Sequence, residues 1–216
     1  MATMDFTTAS GVSNSEGCLH SNNGGWGATW AIARDSTDSN PSVSNPVTSE
    51  NSVIYTPDTW AVRRYFFEIF YNGLPATAII SGADVHYYGT SYEADSGYDR
   101  GYLYLGTQGD TLVNTNWNAQ STLYGNDTVD IGGWGWQTLS LNAAGYGAIS
   151  SGSTIKYCIR GKTDVDDREP GNVYSGLTLR TAAYANFEPF VRVTYTLPSG
   201  GGNPMMFSSG GGVTVG

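Results

Sequence analysis

Hydrophobic and polar residues alternate with a period of two in several short segments of this chain. The strongest of them is 61–71, where Tyr65 and Phe67 share one face and Phe66 and Phe70 share the other. Successive side chains of a β-strand point to opposite faces of its sheet. Because both faces carry aromatic residues, this segment predicts a central strand that is covered on both sides.

The same period recurs between clusters of Gly, Asn, Asp, Ser and Pro, which are typical of turns. In the last of these segments Val191, Val193 and Tyr195 face one way and Arg192 the other. Besides 61–71, the predicted strands are 28–34, 78–88, 101–105, 137–142, 154–161, 176–180 and 189–196.

Segment 78–88 combines a core face and a polar face. Ile79 is in phase with Val85, whereas Asp84 and His86 fall on the opposite face. We therefore expect Ile79 in the core and the two polar residues at the surface.

The chain has no sustained apolar pattern with helical spacing. Short strands with frequent turns predict an all-β fold, which we interpret as an antiparallel two-sheet sandwich of the jelly-roll type. Residues 1–27 are predicted to form an extended N-terminal arm with a first short strand, residues 28–197 the sandwich domain, and residues 198–216 a Gly-rich tail. Segment 35–50 is predicted to be a polar loop.

Composition and charge narrow the function classes. Of the 216 residues only 13% are charged, the formal net charge is −9, and the sequence pI is about 4.4. An acidic protein repels phosphates, so we expect neither nucleic acid nor a membrane surface among its partners. Met1 is followed by neither a basic nor an apolar stretch, so we expect no signal peptide.

Cys18 and Cys158 lie far apart in the sequence and match no metal-binding spacing. They are predicted to be two buried thiols, with a single disulfide bridge as the alternative.

Several segments resemble one known family, the DNRLRE (disaggregatase-related) β-sandwich domains. Arg64–Tyr88, which reads RYFFEIFYNGLPATAIISGADVHYY, is similar to the family's aromatic strand, Leu-Pro turn and Ala-x-Ile-x-x-Ala strand. Glu188–Tyr195 is similar to its final strand, and Trp136–Leu141 with Ala148–Ser150 to its middle strand and turn. The resemblance covers roughly residues 26–196.

This resemblance implies two alternative roles. Such domains are known as carbohydrate-binding modules on large secreted proteins, whereas similar stand-alone chains resemble virion proteins of tailed bacteriophages. We expect the stand-alone layout, since the sequence shows neither a catalytic partner domain nor an export signal.

The residues that could support catalysis form no recognisable motif. His20 and His86 lie in no nucleophile motif such as G-x-S-x-G. Acidic residues such as Asp110, Asp127 and Asp130 lie in polar loops, where a solvated surface position is the ordinary role. We therefore expect a protein that is not an enzyme and that needs no cofactor.

One acidic loop is a candidate calcium site. It contains Asp164, Asp166, Asp167 and Glu169, and carboxylate oxygens in a flexible loop suit Ca²⁺. Their spacing does not match an EF-hand loop. The alternative is a solvated turn whose charge is partly neutralised by Arg168.

Three tryptophans are candidates for carbohydrate binding: Trp117, Trp134 and Trp136. An exposed indole ring on a β-sheet can stack on the apolar C–H face of a sugar. The alternative is burial in the core, which is common for tryptophan.

Two hypotheses for the function follow. The first is a virion structural protein, such as a capsid decoration, tail-accessory or fibre-type subunit, whose partners are copies of itself and other virion proteins. Its tail would dock through the apolar residues Met205, Met206 and Phe207. The second is an extracellular carbohydrate-binding module that binds surface glycans through exposed tryptophans.

Overall fold

The structure is a computed structural model, and it describes residues 1–8, 17–24, 30–35, 42–44, 52–56, 59–92, 101–126, 135–167, 175–179 and 186–198. All statements about the fold concern these residues.

Within the described residues the chain forms twelve strands in two antiparallel sheets. Sheet A contains β1 (Ala2–Thr7), β6 (Ile79–Tyr92), β9 (Gly135–Ser140), β11 (Ser175–Leu179) and β12 (Phe190–Thr196). Sheet B contains β2 (Gly17–Gly24), β3 (Ser42–Ser44), β4 (Ser52–Thr56), β5 (Thr59–Phe70), β7 (Gly101–Gly106), β8 (Gln120–Asn126) and β10 (Thr154–Gly161). The prediction of an all-β two-sheet sandwich is confirmed, and the jelly-roll topology stays a prediction.

Each sheet is organised around one long strand. In sheet A, β12 and β9 pair with overlapping parts of β6 and therefore lie on its opposite edges, and β1 pairs with β12. In sheet B the order is β3, β2, β5, β10, β7 and β8. Strand β4 pairs with both β5 and β11, so it joins the two sheets along one side.

Seven of the eight predicted strands are present, with ends shifted by a few residues. The prediction for 28–34 is wrong, because Trp30–Asp35 forms a helix, α1, that packs on β5 and β2. Six residues are too few to separate a helical period from a strand period. The other helical turns are α2 (Ala143–Gly147), α3 (Lys162–Val165) and a 3₁₀ helix (Asn114–Asn118).

The N-terminal segment does not form a separate arm. Strand β1 pairs with β12 along its whole length, and β2 pairs with β5 from Gly17 to Gly24. The described strands on the N-terminal side of residue 27 therefore belong to both sheets, and the domain boundary itself stays a prediction.

A bulge in β6 reverses the predicted orientation of Ile79. Gly82 lies opposite Thr194 and Ile80 lies opposite Tyr195, so Ser81 is an extra residue in this pair of strands. One extra residue shifts the alternation of all positions before it. Ile79 is consequently exposed, and Ile80 packs against the core instead.

The main core lies between the two sheets. It contains the inward faces of the central strands, including Tyr65, Phe67 and Ile69 of β5 and Val85 and Tyr87 of β6. A second, smaller cluster of buried side chains covers the opposite face of sheet B, and it contains Leu19, Trp30, Val62, Phe66, Leu112, Trp117 and Cys158. Phe66 is therefore buried on the second face of β5 as predicted, whereas Phe70, at the end of the strand, is 48% exposed.

Candidate functional site

The outer face of sheet A is a platform of aromatic side chains, which we call the aromatic face. Cross-strand neighbours place His86 between Thr138 and Phe190, and Tyr88 beside Trp136. These side chains share a face because they alternate with buried residues such as Val85 and Leu139. The regular strands thus present their aromatic rings side by side.

Trp136 lies at the centre of the aromatic face. Its ring packs edge-on against Tyr88, with a centroid distance of 5.7 Å, and against Phe190, at 5.4 Å. Phe187 lies 6.5 Å from Trp136 and 4.5 Å from Tyr88. Trp136 nevertheless keeps 47% of its surface exposed. The neighbouring rings therefore hold the indole in place while leaving it accessible.

His86 extends the aromatic face towards β12. Its ring stacks on Phe190 at 4.6 Å, and Nδ1 lies 3.1 Å from the hydroxyl of Thr138. Burial, together with the charge of Arg192, lowers the pKa of His86. The imidazole is therefore neutral at neutral pH, and the aromatic face is uncharged along this part.

A row of charged side chains borders the aromatic face. Asp84, Arg192 and Asp5 are direct cross-strand neighbours on β6, β12 and β1. Two nitrogens of the Arg192 guanidinium, Nε and Nη2, donate to the two carboxylate oxygens of Asp5, each at 2.7 Å. Ser140 donates to Asp84 at 2.7 Å. The hydrogen bond from Arg192 lowers the pKa of Asp5.

The outer face of sheet B is, in contrast, closed around Arg64. Arg64 of β5 is 2% exposed, and its Nε and Nη2 donate to the carboxylate of Asp164, each at 2.8 Å. Its Nη1 donates to the carbonyl oxygen of Trp117 and to Asn118. Arg160 donates to the same carboxylate at 2.7 and 2.8 Å. This buried network ties β5 and β10 to α3 and the 3₁₀ helix.

Two opposing effects determine the ionisation of Asp164. Burial alone would raise its pKa, but the charge of Arg64 and the hydrogen bonds from Arg160 and Arg64 outweigh burial and lower the pKa to about 2. The carboxylate therefore stays ionised and paired.

For Trp117 the structure shows the second of the two alternatives, which is burial. The guanidinium carbon of Arg64 lies 4.2 Å from its ring centroid, and its indole nitrogen donates to the carbonyl oxygen of Arg34 at 2.8 Å. Only 3% of this residue is exposed, so it cannot stack on a sugar. Trp136 keeps the predicted exposure, and Trp134 lies outside the described residues.

At the acidic loop, the three candidate calcium ligands that the structure describes are each engaged in an ion pair. Asp164 is enclosed by two arginines, Asp166 pairs with Lys162, and Asp167 pairs with Arg34. Across the described ranges, no three His, Cys, Asp or Glu side chains are arranged to hold a metal ion. Glu169, the fourth predicted ligand, lies outside these ranges.

The two cysteines form no disulfide and both are buried, as one of the two predictions stated. Cys18 pairs with Tyr65, which faces the main core, whereas Cys158 pairs with Phe66, which faces the second cluster. Their side chains therefore start on opposite faces of sheet B. Burial raises the pKa of the Cys158 thiol to about 12.

A cleft of about 440 Å³ lies at one end of sheet B. Its lining includes Glu68, Tyr124 and Lys156. The ammonium group of Lys156 donates to the carbonyl oxygen of Gln108 at 3.0 Å and to Asp110 at 3.1 Å. The cation of this cleft is thus already held by neighbouring oxygens.

Comparisons with known proteins identify no family: no protein-family model and no curated protein matches the chain. The resemblance to DNRLRE domains stays a prediction. In the part of the chain that the structure describes, the helices are all too short to cross a bilayer.

Proposed function

We propose that this protein is a non-enzymatic polysaccharide-binding protein and that the aromatic face of sheet A is its binding surface. The observation that carries the proposal is the exposed ring of Trp136 within a continuous group of aromatic side chains on the outer face of sheet A. An extended chain of pyranose rings offers flat apolar C–H faces of matching shape.

The surroundings of Trp136 support this role. Its packing against Tyr88 and Phe190 fixes the ring before a ligand arrives, so that little side-chain entropy is lost on binding. The bordering Asp84 and Asp5 carry oxygen atoms that can accept hydrogen bonds from sugar hydroxyl groups. An aromatic centre with a polar border is the usual layout of a specific binding surface.

The test compares Trp136→Ala with Phe70→Ala. Both residues are about half exposed, at 47% and 48%, but Phe70 lies on sheet B. We expect Trp136→Ala to weaken binding about tenfold or more, as is usual for a central aromatic contact, and Phe70→Ala to leave it unchanged. Affinity electrophoresis against a panel of cellulose, xylan, mannan, galactan and chitin derivatives measures the effect.

A lack of binding to the whole panel and to a bacterial glycan array would refute the proposal. So would a polysaccharide whose binding is equally strong in the wild type and in Trp136→Ala.

A virion structural role remains a second proposal, and it is compatible with the first. Tryptophan, tyrosine and arginine are also the residues that dominate protein interfaces, so the aromatic face could contact another subunit. The predicted anchor residues Met205, Met206 and Phe207 lie outside the described residues. The structural role would place the protein in a virion, and the polysaccharide-binding role would place it in the extracellular space.

Sedimentation of three proteins separates the two proposals: the wild type, a variant lacking residues 198–216, and Trp136→Ala. If the protein is an assembling subunit, the deletion yields a folded monomer while the wild type forms oligomers. A wild type that stays monomeric at all concentrations, or a deletion variant that assembles normally, would contradict the assembly role.

A further inference from the structure

The charged row beside the aromatic face has a defined order. Asp84, Arg192 and Asp5 occupy neighbouring strands at the same height in the sheet, so that one guanidinium lies between two carboxylates. The guanidinium carbon of Arg192 lies 5.6 Å from the centroid of Phe190, which connects the row to the aromatic surface. A ligand stacked on the rings would therefore reach this row.

Arg192 is already engaged in this row. Two of its nitrogens hold both oxygens of Asp5 in a bidentate pair. Bidentate pairing uses the fork of donors that would otherwise bind a ligand carboxylate or sulfate. The pair is nevertheless accessible, since both side chains are 44% exposed.

The remaining charge at the row is negative. Two carboxylates face one guanidinium, His86 adds no positive charge in its neutral form, and the whole chain carries a formal charge of −9. A uronate or sulfate group placed here would meet repulsion, whereas a hydroxyl group can donate to the carboxylate oxygens.

Resting on the proposed function, we infer that the aromatic face selects uncharged polysaccharide chains and that Asp5 sets this selectivity by occupying Arg192. Without Asp5, the Arg192 guanidinium is available to an anionic ligand. Asp5 is thus a specificity-determining residue at the border of the binding surface.

The experiment uses pairs of polysaccharides that share a backbone and differ in charge, such as hydroxyethyl cellulose with carboxymethyl cellulose, and hydroxyethyl chitin with carboxymethyl chitin. Affinity electrophoresis and calorimetry give the ratio of neutral to anionic affinity for each pair. For the wild type we expect the neutral member to bind at least about fivefold more tightly, which corresponds to one screened repulsion of like charges. Added salt should reduce the difference between the neutral and the anionic affinity, because it screens the repulsion between the anionic polysaccharide and the carboxylates.

Asp5→Asn is the informative variant, and Asp110→Asn is its matched control. Both remove one exposed carboxylate from an ion pair and change the net charge equally, but Asp110 pairs with Lys156 on sheet B. We expect Asp5→Asn to raise the affinity for the anionic member of each pair about fivefold or more, and Asp110→Asn to leave the ratio unchanged.

Each outcome has a definite meaning. If the wild type binds both members of a pair equally, or if Asp5→Asn and Asp110→Asn behave alike, this inference is wrong while the proposed function stands. If no polysaccharide binds, the proposed function fails and this inference fails with it.

Discussion

The outer faces of the two sheets carry similar side chains, which are buried on sheet B and partly exposed on sheet A. Each face has a tryptophan and an ion pair between arginine and aspartate. On sheet B, Trp117 of the 3₁₀ helix is buried in one cluster with Trp30 of α1, and Asp164 holds Arg64 and Arg160 in a buried network. On sheet A, Trp136 is half exposed, and Asp5 and Arg192 pair at the surface.

This difference separates structural from binding roles for the same residue types. Ion pairs and aromatic rings that are fully enclosed contribute to the conformation of the chain, because every polar atom is satisfied internally. Rings that are packed at their edges but open on one side keep surface for a partner. The tryptophan that the protein leaves accessible is therefore the better candidate for function.

The largest expected change in the free energy of unfolding comes from breaking the buried contact of Asp164 with Arg64 and Arg160. Asp164→Asn leaves two arginines without their counter-charge inside the protein and should lower the free energy of unfolding by about 3–5 kcal/mol. Asp5→Asn breaks an exposed pair with the same partner types and should cost about 0–1 kcal/mol. Urea unfolding followed by circular dichroism measures both.

If Asp164→Asn does not fold, a variant in which the whole network is replaced still tests this comparison. Combining Arg64→Met, Arg160→Met and Asp164→Leu removes all three charges at once, and we expect this variant to be more stable than Asp164→Asn. If Asp164→Asn and Asp5→Asn lower the free energy of unfolding equally, this result would contradict the distinction between the two faces.

A smaller loss of stability is expected when the pH is lowered. The pKa of Asp164 is about 2 in the folded protein, below its ordinary value of 3.8, so the folded state binds this proton less readily than the unfolded state. The corresponding stabilisation is complete above about pH 4, is lost as the pH falls towards 2, and amounts to about 2 kcal/mol. Carbon-13 NMR of the aspartate carboxyl groups should show a midpoint near pH 2 for Asp164, and a midpoint at or above its ordinary value would contradict the network.

Much of the sandwich could be predicted from the sequence, because strands leave a local pattern. The period of two in 61–71 and 154–161 reports burial directly, and both segments are strands with the predicted faces. Helix α1 could not be recognised in this way. Its six residues pack on sheet B through Trp30, and this tertiary contact leaves no period in so short a segment.

The candidate site could be predicted only in part. Trp136 was recognisable as a residue that could stack on a sugar, but whether it or Trp117 would be exposed depended on which face the helices cover. The sequence did not show that Phe187, Phe190 and His86 lie on one face with Trp136, because residues that are close in space can be distant in the sequence. One local feature of the sequence indicates the buried arginine: Arg64 interrupts the apolar face that contains Phe66. Its partner Asp164 could not be recognised, because it lies 100 residues away.

The most direct test of the contrast between the two faces is oxidative footprinting of tryptophan by hydroxyl radicals, read by peptide mass spectrometry. Trp136 should be oxidised rapidly and Trp117 slowly in the folded protein, and a bound neutral polysaccharide should protect Trp136 alone of the two. Equal oxidation of both tryptophans, or a Trp136 rate that a bound polysaccharide leaves unchanged, would contradict the account.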